Sequence, residues 1–204
     1  MKNPLLYTIL RPVFTLWFKM VYRPVFINQD AIPKKGKAIL AGTHVCKKDI
    51  FLVIASTRRC IRGVAKAELF KGPGKYFFGG LGAIPVNRDV KDGSVVPICV
   101  DLLNQGFLVA LMPEGTINRT KDIIMPFKTG AVRMAIASGS PIIPFAIIGE
   151  VVGNDYRTFK PGVKMVFDDA YYPKTKDVDR ENKVLEDKVL AIIKKYRNGE
   201  KKCN

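Results

Sequence analysis

The chain has 204 residues, is 48% hydrophobic, and carries 34 basic against 18 acidic residues for a net charge of +16. That length and apolar content exclude a disordered chain and fit one domain with a sizeable core. The charge calls for an anionic partner, whether nucleic acid, anionic lipid or a phosphorylated substrate. Cys46, Cys60, Cys99 and Cys203 lack metal-ligand spacing, so no metal is expected, and they read as free thiols in a reducing compartment.

Residues 1–29 stand apart in composition, with no acid before Asp30. Lys2, Arg11, Lys19 and Arg23 interleave a dense apolar set that includes Leu6, Phe14, Trp17 and Phe18. Pro12 and Pro24 predict two short helices, about 4–10 and 12–22, forming a hairpin. Aromatic rings beside Lys and Arg suit helices lying in a lipid interface, and an ordinary hairpin packed on the domain is the alternative. Without a run of about 18 uninterrupted apolar residues, a conventional spanning helix is not expected. A signal peptide is not expected either, because a small-residue cleavage site is lacking and Arg11-Pro12 interrupts the apolar core.

From Ala31 the pattern alternates between buried-type strands and helices. Ile32-Pro33-Lys34-Lys35-Gly36 reads as a turn, followed by a strand at 37–42 and a helix from Asp49 to about Ser56. A basic stretch containing Arg58, Arg59, Arg62, Lys66, Lys71 and Lys75 encloses a strand at 61–65. Gly72-Pro73-Gly74 breaks the chain, and Tyr76-Phe77-Phe78-Gly79-Gly80 leads to a strand at 83–86, ended by Asn87-Arg88. A helix at 94–105 is closed by Gly106, and a buried-type strand at 107–111 runs into Met112-Pro113-Glu114-Gly115-Thr116. Then come a helix at 129–138, a strand at 142–148, a strand at 163–167 nearer an edge, and a last helix at about 179–197. That helix carries Leu185, Val189, Ile192 and Tyr196 at core spacing. The expected fold is α/β: one domain with a largely parallel or mixed central sheet flanked by helices, preceded by the N-terminal interfacial hairpin.

The only histidine, His44, falls in the turn between the strand at 37–42 and the next helix, with Asp49 five residues later. On a continuous helix that spacing would point the two side chains about 140° apart, so a pair requires a strand-to-helix turn. A carboxylate that accepts from one imidazole nitrogen fixes the tautomer and leaves the other nitrogen as a base. A satisfied histidine in a turn is the plainer alternative. In α/β sheets ligands bind beyond the carboxyl ends of the strands. Thr43-His44, Asn87-Arg88 and Glu114-Gly115-Thr116 all fall at such ends. Arg88 suits bidentate phosphate contact. Gly115 lets backbone N–H groups approach an anion. Glu114 suits a substrate hydroxyl or a contact with Arg88.

Four blocks together resemble the 1-acylglycerol-3-phosphate acyltransferase family of glycerolipid enzymes. They are Thr43-His44-Val45-Cys46-Lys47-Lys48-Asp49, Gly82-Ala83-Ile84-Pro85-Val86-Asn87-Arg88, Pro113-Glu114-Gly115-Thr116-Ile117-Asn118 and Ile142-Ile143-Pro144-Phe145. Lys66-Ala67-Glu68-Leu69-Phe70 and Phe127-Lys128-Thr129-Gly130-Ala131 also resemble family segments, and the match spans about 38–148 in order. The resemblance implies acyl transfer from acyl-CoA or acyl carrier protein to the hydroxyl of a lysophospholipid, with no cofactor. It makes His44 the general base and Asp49 its orienting partner. Arg88, Glu114, Gly115 and Thr116, with Lys66 and Lys128, become the acceptor site. The composition of the N-terminal segment divides the chain into membrane-interface helices at 1–29 and an acyltransferase domain at 30–204, expected on the cytoplasmic face of an anionic membrane. Thr43 stands where the family has Asn, Cys46 where it has Ser, and Ile117 where it has Arg. The last departure leaves Arg119, Lys121 or Lys128 to supply the missing charge. A Cys46 nucleophile, another lysolipid acceptor, an inactive scaffold, and a non-catalytic protein binding anionic lipid or nucleic acid remain as alternatives. Nucleic acid is the least expected, since no nucleic-acid motif occurs.

Overall fold

The computed structural model describes residues 4–86, 95–153 and 158–200, the side chains of 198–200 excepted. In chain order the helices are α1 (Leu5–Tyr22), α2 (Asp49–Ala55), α3 (Gly74–Gly80), α4 (Val95–Asn104), α5 (Gly130–Ser138) and α6 (Val178–Glu200). The strands are β1 (Val25–Ile27), β2 (Ala38–Gly42), β3 (Ile61–Lys66), β4 (Ile84–Val86) and β5 (Leu108–Leu111), then β6 (Ile142–Ile148), β7 (Val151–Val152), β8 (Thr158–Phe159) and β9 (Lys164–Phe167). Seven strands form one sheet in the order β1–β9–β6–β2–β5–β3–β4. All neighbours are parallel except β6 and β9, which run antiparallel, so the sheet is mixed as expected.

Side chains alternate across the sheet with period two. Ile39 and Ala41 face a core built with Leu103, Met134 and Leu185 from α4, α5 and α6. Ala38 and Leu40 face the opposite core, with Phe18 of α1, Leu52 of α2 and Phe159 of β8. Helices thus cover both faces, and every residue of β6 is buried. Burial on both sides is why β6 and β2 read as continuous apolar runs rather than alternating ones. The stripe of the last helix is core: Leu185 and Val189 are fully buried, and Tyr196 packs against them.

The N-terminal segment departs from expectation in three ways. It holds one continuous helix, not a hairpin, and Pro12 lies inside it. A proline removes one intrahelical hydrogen bond and disfavours helix in the residue before it. Tertiary anchoring offsets that cost. The inner stripe of Tyr7, Thr15, Phe18 and Tyr22 is buried, and Arg11 donates to the carbonyl of Thr57. Phe18, expected at a lipid interface, is 0% exposed and stacks on Tyr22 with ring centroids 4.6 Å apart. Phe14 is half-buried against Phe51, and Leu6 is half-buried as well. The outward stripe is instead Leu5, Ile9, Val13, Leu16 and Met20, with Trp17 and Lys19 beside it. Finally, Val25–Ile27 pairs with β9, so the central sheet begins before residue 30. Among the described residues no helix is long and apolar enough to cross a membrane.

Candidate active site

Because β2, β5, β3 and β4 are mutually parallel, their carboxyl ends share one edge of the sheet. The chain leaves β2 through Gly42, whose missing Cβ is essential. A Cβ there would lie 2.0 Å from the carbonyl oxygen of Phe145 and 2.6 Å from its ring. Thr43 follows, buried, and its hydroxyl accepts the N–H of Ile147 at 2.9 Å, pinning the turn to β6. His44 then stands at the open edge, its side chain 16% exposed.

Asp49, the first residue of α2, is 0% exposed. It accepts from Nδ1 of His44 at 2.7 Å, from the N–H of Val45 at 2.7 Å, and from the N–H of Cys46 at 3.1 Å. The Cys46 thiol donates to it at 3.3 Å. A carboxylate so placed puts the ring proton on Nδ1 and leaves Nε2 as the acceptor. The turn that brings His44 and Asp49 together is the one the five-residue spacing required.

Burial, reinforced by the Asp49 charge, pushes the Cys46 thiol up to about 12. A fully buried thiol that donates to a carboxylate is poorly placed to act as a nucleophile, which argues against the Cys46 alternative. Cys60 and Cys99 are buried free thiols too, and Cys203 lies outside the described residues.

Glu114, 3% exposed, sits at the end of β5. One carboxylate oxygen accepts the N–H of His44 at 2.7 Å and the other accepts the N–H of Met125 at 3.0 Å. Burial pushes this carboxyl up, and the N–H groups of Met125 and His44 pull it partly back. The sequence reading offered Glu114 to a substrate hydroxyl or to Arg88; in the fold it is a buried brace for the His44 turn. Nothing in its sequence context signals that role, because both partners are backbone groups. The same loop is tied again where the N–H of Asn118 donates to the carbonyl of His44 at 2.8 Å.

Gly115 has φ +73, a conformation that favours glycine. A Cβ built there would meet Cε and Nζ of Lys128 at 2.8 and 3.0 Å, so the Lys128 side chain lies across this turn. Among the described residues Nζ of Lys128 has no acidic or hydrogen-bonding partner. Thr116 is exposed beside it. A clamp that the sequence did not reveal fixes Lys128 in place. The N–H of Phe127 donates to Glu186 at 2.8 Å, and Asn182 donates to the carbonyl of Phe127 at 2.8 Å. The N–H of Lys128 itself donates to Pro113 at 2.8 Å.

Lys66 ends β3 on the same edge, two strands from β2 and hence roughly 10 Å away. Its Nζ lies 2.9 Å from Glu68. Lys48, inside the His44 turn, points elsewhere, donating to Tyr22 at 2.6 Å and to Thr158 at 2.9 Å. Asn87 and Arg88 lie outside the described residues, β4 being described to Val86. The edge therefore brings together His44, Asp49, Glu114, Gly115, Thr116 and Lys128, with Lys66 farther along it.

A histidine oriented by a buried carboxylate thus stands at the strand ends of a sheet covered by helices on both faces, in an α/β protein. The family model described as Acyltransferase matches residues 23–148, which is more than half of the chain. This chain belongs to that acyltransferase family. It is 31% identical over 139 residues to the 1-acyl-sn-glycerol-3-phosphate acyltransferase of Bacillus subtilis, covering 66% of each protein. It is 26% identical over 136 residues to the protein of the same name from Borreliella burgdorferi, covering 65% of this chain and 54% of that one. The chain thus spans between about half and two thirds of the length of these relatives. The crystal structure of the 1-acyl-sn-glycerophosphate (LPA) acyltransferase PlsC from Thermotoga maritima superposes with a TM-score of 0.77. That match covers 94% of this chain and 81% of the other at 21% identity, and it establishes the shared fold.

Proposed function

We propose that this protein transfers an acyl group from a thioester donor, acyl-CoA or acyl carrier protein, to the free hydroxyl of 1-acylglycerol-3-phosphate, yielding phosphatidic acid. The observation that carries the reading is the 2.7 Å contact between Nδ1 of His44 and the fully buried Asp49, at an otherwise open strand edge. The printed names of the relatives support the same substrate.

A glycerol hydroxyl is a weak nucleophile until its proton leaves as it attacks. Nε2 of His44 takes that proton while the oxygen attacks the thioester carbonyl. The tetrahedral intermediate then collapses, the C–S bond breaks, and the departing thiolate recovers the proton from His44. Asp49 holds the ring and stabilises the imidazolium formed in between. The site's own residues carry these steps without a covalent enzyme intermediate or a cofactor.

The acceptor phosphate is assigned to Lys128, the Gly115-Thr116 turn, Lys66 and Arg88. Lys128 stands in for the guanidinium lost at Ile117. That substitution also favours a second reading, in which the acceptor is a lysophospholipid with a different headgroup. We place the protein on an anionic membrane through the exposed apolar stripe of α1, where Trp17 and Lys19 border the lipid. The free thiols fit the cytoplasmic leaflet.

The test is release of free thiol from acyl-CoA when purified protein meets lysophosphatidic acid. Thiol release that requires lysophosphatidic acid is the expected result, and release without any lysolipid acceptor would overturn the reading. A headgroup panel separates the two acceptors, and parallel assays with acyl carrier protein identify the donor.

A further inference from the structure

The β3–β4 crossover is not explained by its own packing. It comprises a single turn of 3-10 helix, Ala67–Phe70, followed by α3, and neither contains a buried residue. Leu69 is 46% exposed, Tyr76 80% and Phe77 49%. A seven-residue helix is far shorter than the roughly 12–15 residues that hold helix alone in water. Three of its seven residues, Gly74, Gly79 and Gly80, are glycines, the weakest helix formers after proline. Neither propensity nor burial accounts for a helix that presents its aromatic rings to solvent. Among the described residues nothing covers Leu69, Tyr76 and Phe77, and exposed apolar groups gathered in this way mark an interaction surface.

Two observations identify the cover. First, the crossover packs against the start of α1: a Cβ built at Gly80 would lie 2.9 Å from Cδ2 of the half-buried Leu6, next to Leu5 of the outward stripe. Second, the rim is basic. Lys71 and Lys75 are exposed on the crossover beside the apolar groups. Glu68, the acid of the crossover itself, is held by Lys66 at 2.9 Å. Apolar and aromatic groups ringed by lysines complement an anionic lipid surface.

We propose that the β3–β4 crossover is a second lipid-inserting element. Leu69, Tyr76 and Phe77 enter an anionic leaflet beside α1. This rests on the membrane reading of α1 given above and extends it. The crossover begins directly after Lys66, at the strand edge that carries His44. Its insertion sets that edge against the headgroups, so that a lysolipid reaches Nε2 of His44 from the bilayer and not from water.

The intact chain is mixed with vesicles of phosphatidylcholine containing about 30% phosphatidylglycerol. A Phe77→Trp, Trp17→Phe double variant carries its single indole on α3, since Trp17 is the only tryptophan. The expected result is a blue shift on binding, with quenching by lipids brominated on their acyl chains. The triple variant Leu69→Ser, Tyr76→Ser, Phe77→Ser is expected to lose about ten- to a hundredfold in vesicle partition. It should lose turnover of vesicle-borne acceptor in parallel and keep turnover of a short-chain, freely soluble one. Unshifted indole emission on a protein that still sediments with vesicles overturns the proposal and leaves α1 as the sole lipid contact. So does unchanged partition of the triple variant, the result expected if a protein partner covers the patch. Failure of the intact chain to sediment overturns the membrane reading of α1 together with this one.

Discussion

The His44 turn and the β3–β4 crossover both follow strands of the same sheet, yet they are built on opposite principles. At the turn, buried polar groups find partners within the chain: Asp49 accepts several donors, and Glu114 bridges two backbone N–H groups. In the crossover no residue is buried, and large apolar groups face outward. The turn has its hydrogen-bond partners in place without any ligand, as the proposed role of His44 requires. The crossover has its fold completed by something it meets. Preorganised chemistry and borrowed stability thus lie side by side on one edge.

Removing the base tests the self-sufficient half most sharply. His44→Ala should lower thiol release by about two to four orders of magnitude or more, with an unchanged melting temperature. Asp49→Asn should approach the same loss, because the amide presents either the wrong atom to Nδ1 or the wrong tautomer. Undiminished turnover in His44→Ala would remove the ring from the chemistry.

Glu114→Ala strands two N–H groups, those of His44 and Met125. Chemical denaturation should register about 2–5 kcal/mol of lost stability, and turnover should fall with it because the His44 turn loosens. Glu114→Gln keeps one acceptor oxygen and should fall between the alanine variant and wild type. If Glu114 contacted only substrate, stability would not change.

Lys128→Ala should raise KM for the phosphate-bearing acceptor about tenfold, equivalent to about 1.4 kcal/mol, with little change in kcat. Glu186→Ala should show a weaker version of the same split. Glu186→Gln should largely restore it, since an amide oxygen can still accept from Phe127. A kcat effect at Lys128 would place it on the reacting atoms instead.

The smallest effect concerns Cys46. Its thiol should resist alkylation by iodoacetamide near pH 8 in the native protein and react on unfolding. Its folded value, about 12, stands above the ordinary 9, so the unfolded chain ionises first. Its contribution to stability is full below pH 9 and is lost as pH rises toward 12. Calorimetry at increasing pH reads that decline.

Where burial on both faces imposes the pattern, the sequence is easy to read. β6 occupies the expected 142–148, and the His44 turn lies where a five-residue spacing demanded it. The short strands β1, β7 and β8 carry too little pattern to separate from their surroundings, whereas the equally short β4 follows a recognisable glycine break. Pro12 misled because its cost is offset by contacts of Phe18, Tyr22 and Arg11 with residues far along the chain. α3 shows no periodic signal because it has no buried face. The Glu114 brace and the Glu186 clamp join side chains to backbone groups, and a backbone N–H leaves no trace in residue identity.

Position 42 admits a hydrogen atom and nothing larger, since even a methyl group would overlap Phe145. An engineer wishing to redirect this scaffold toward a new alcohol therefore has room at Ile117, Thr116 and Lys128, and none two residues upstream of the imidazole. The rim can be rebuilt while its footing cannot.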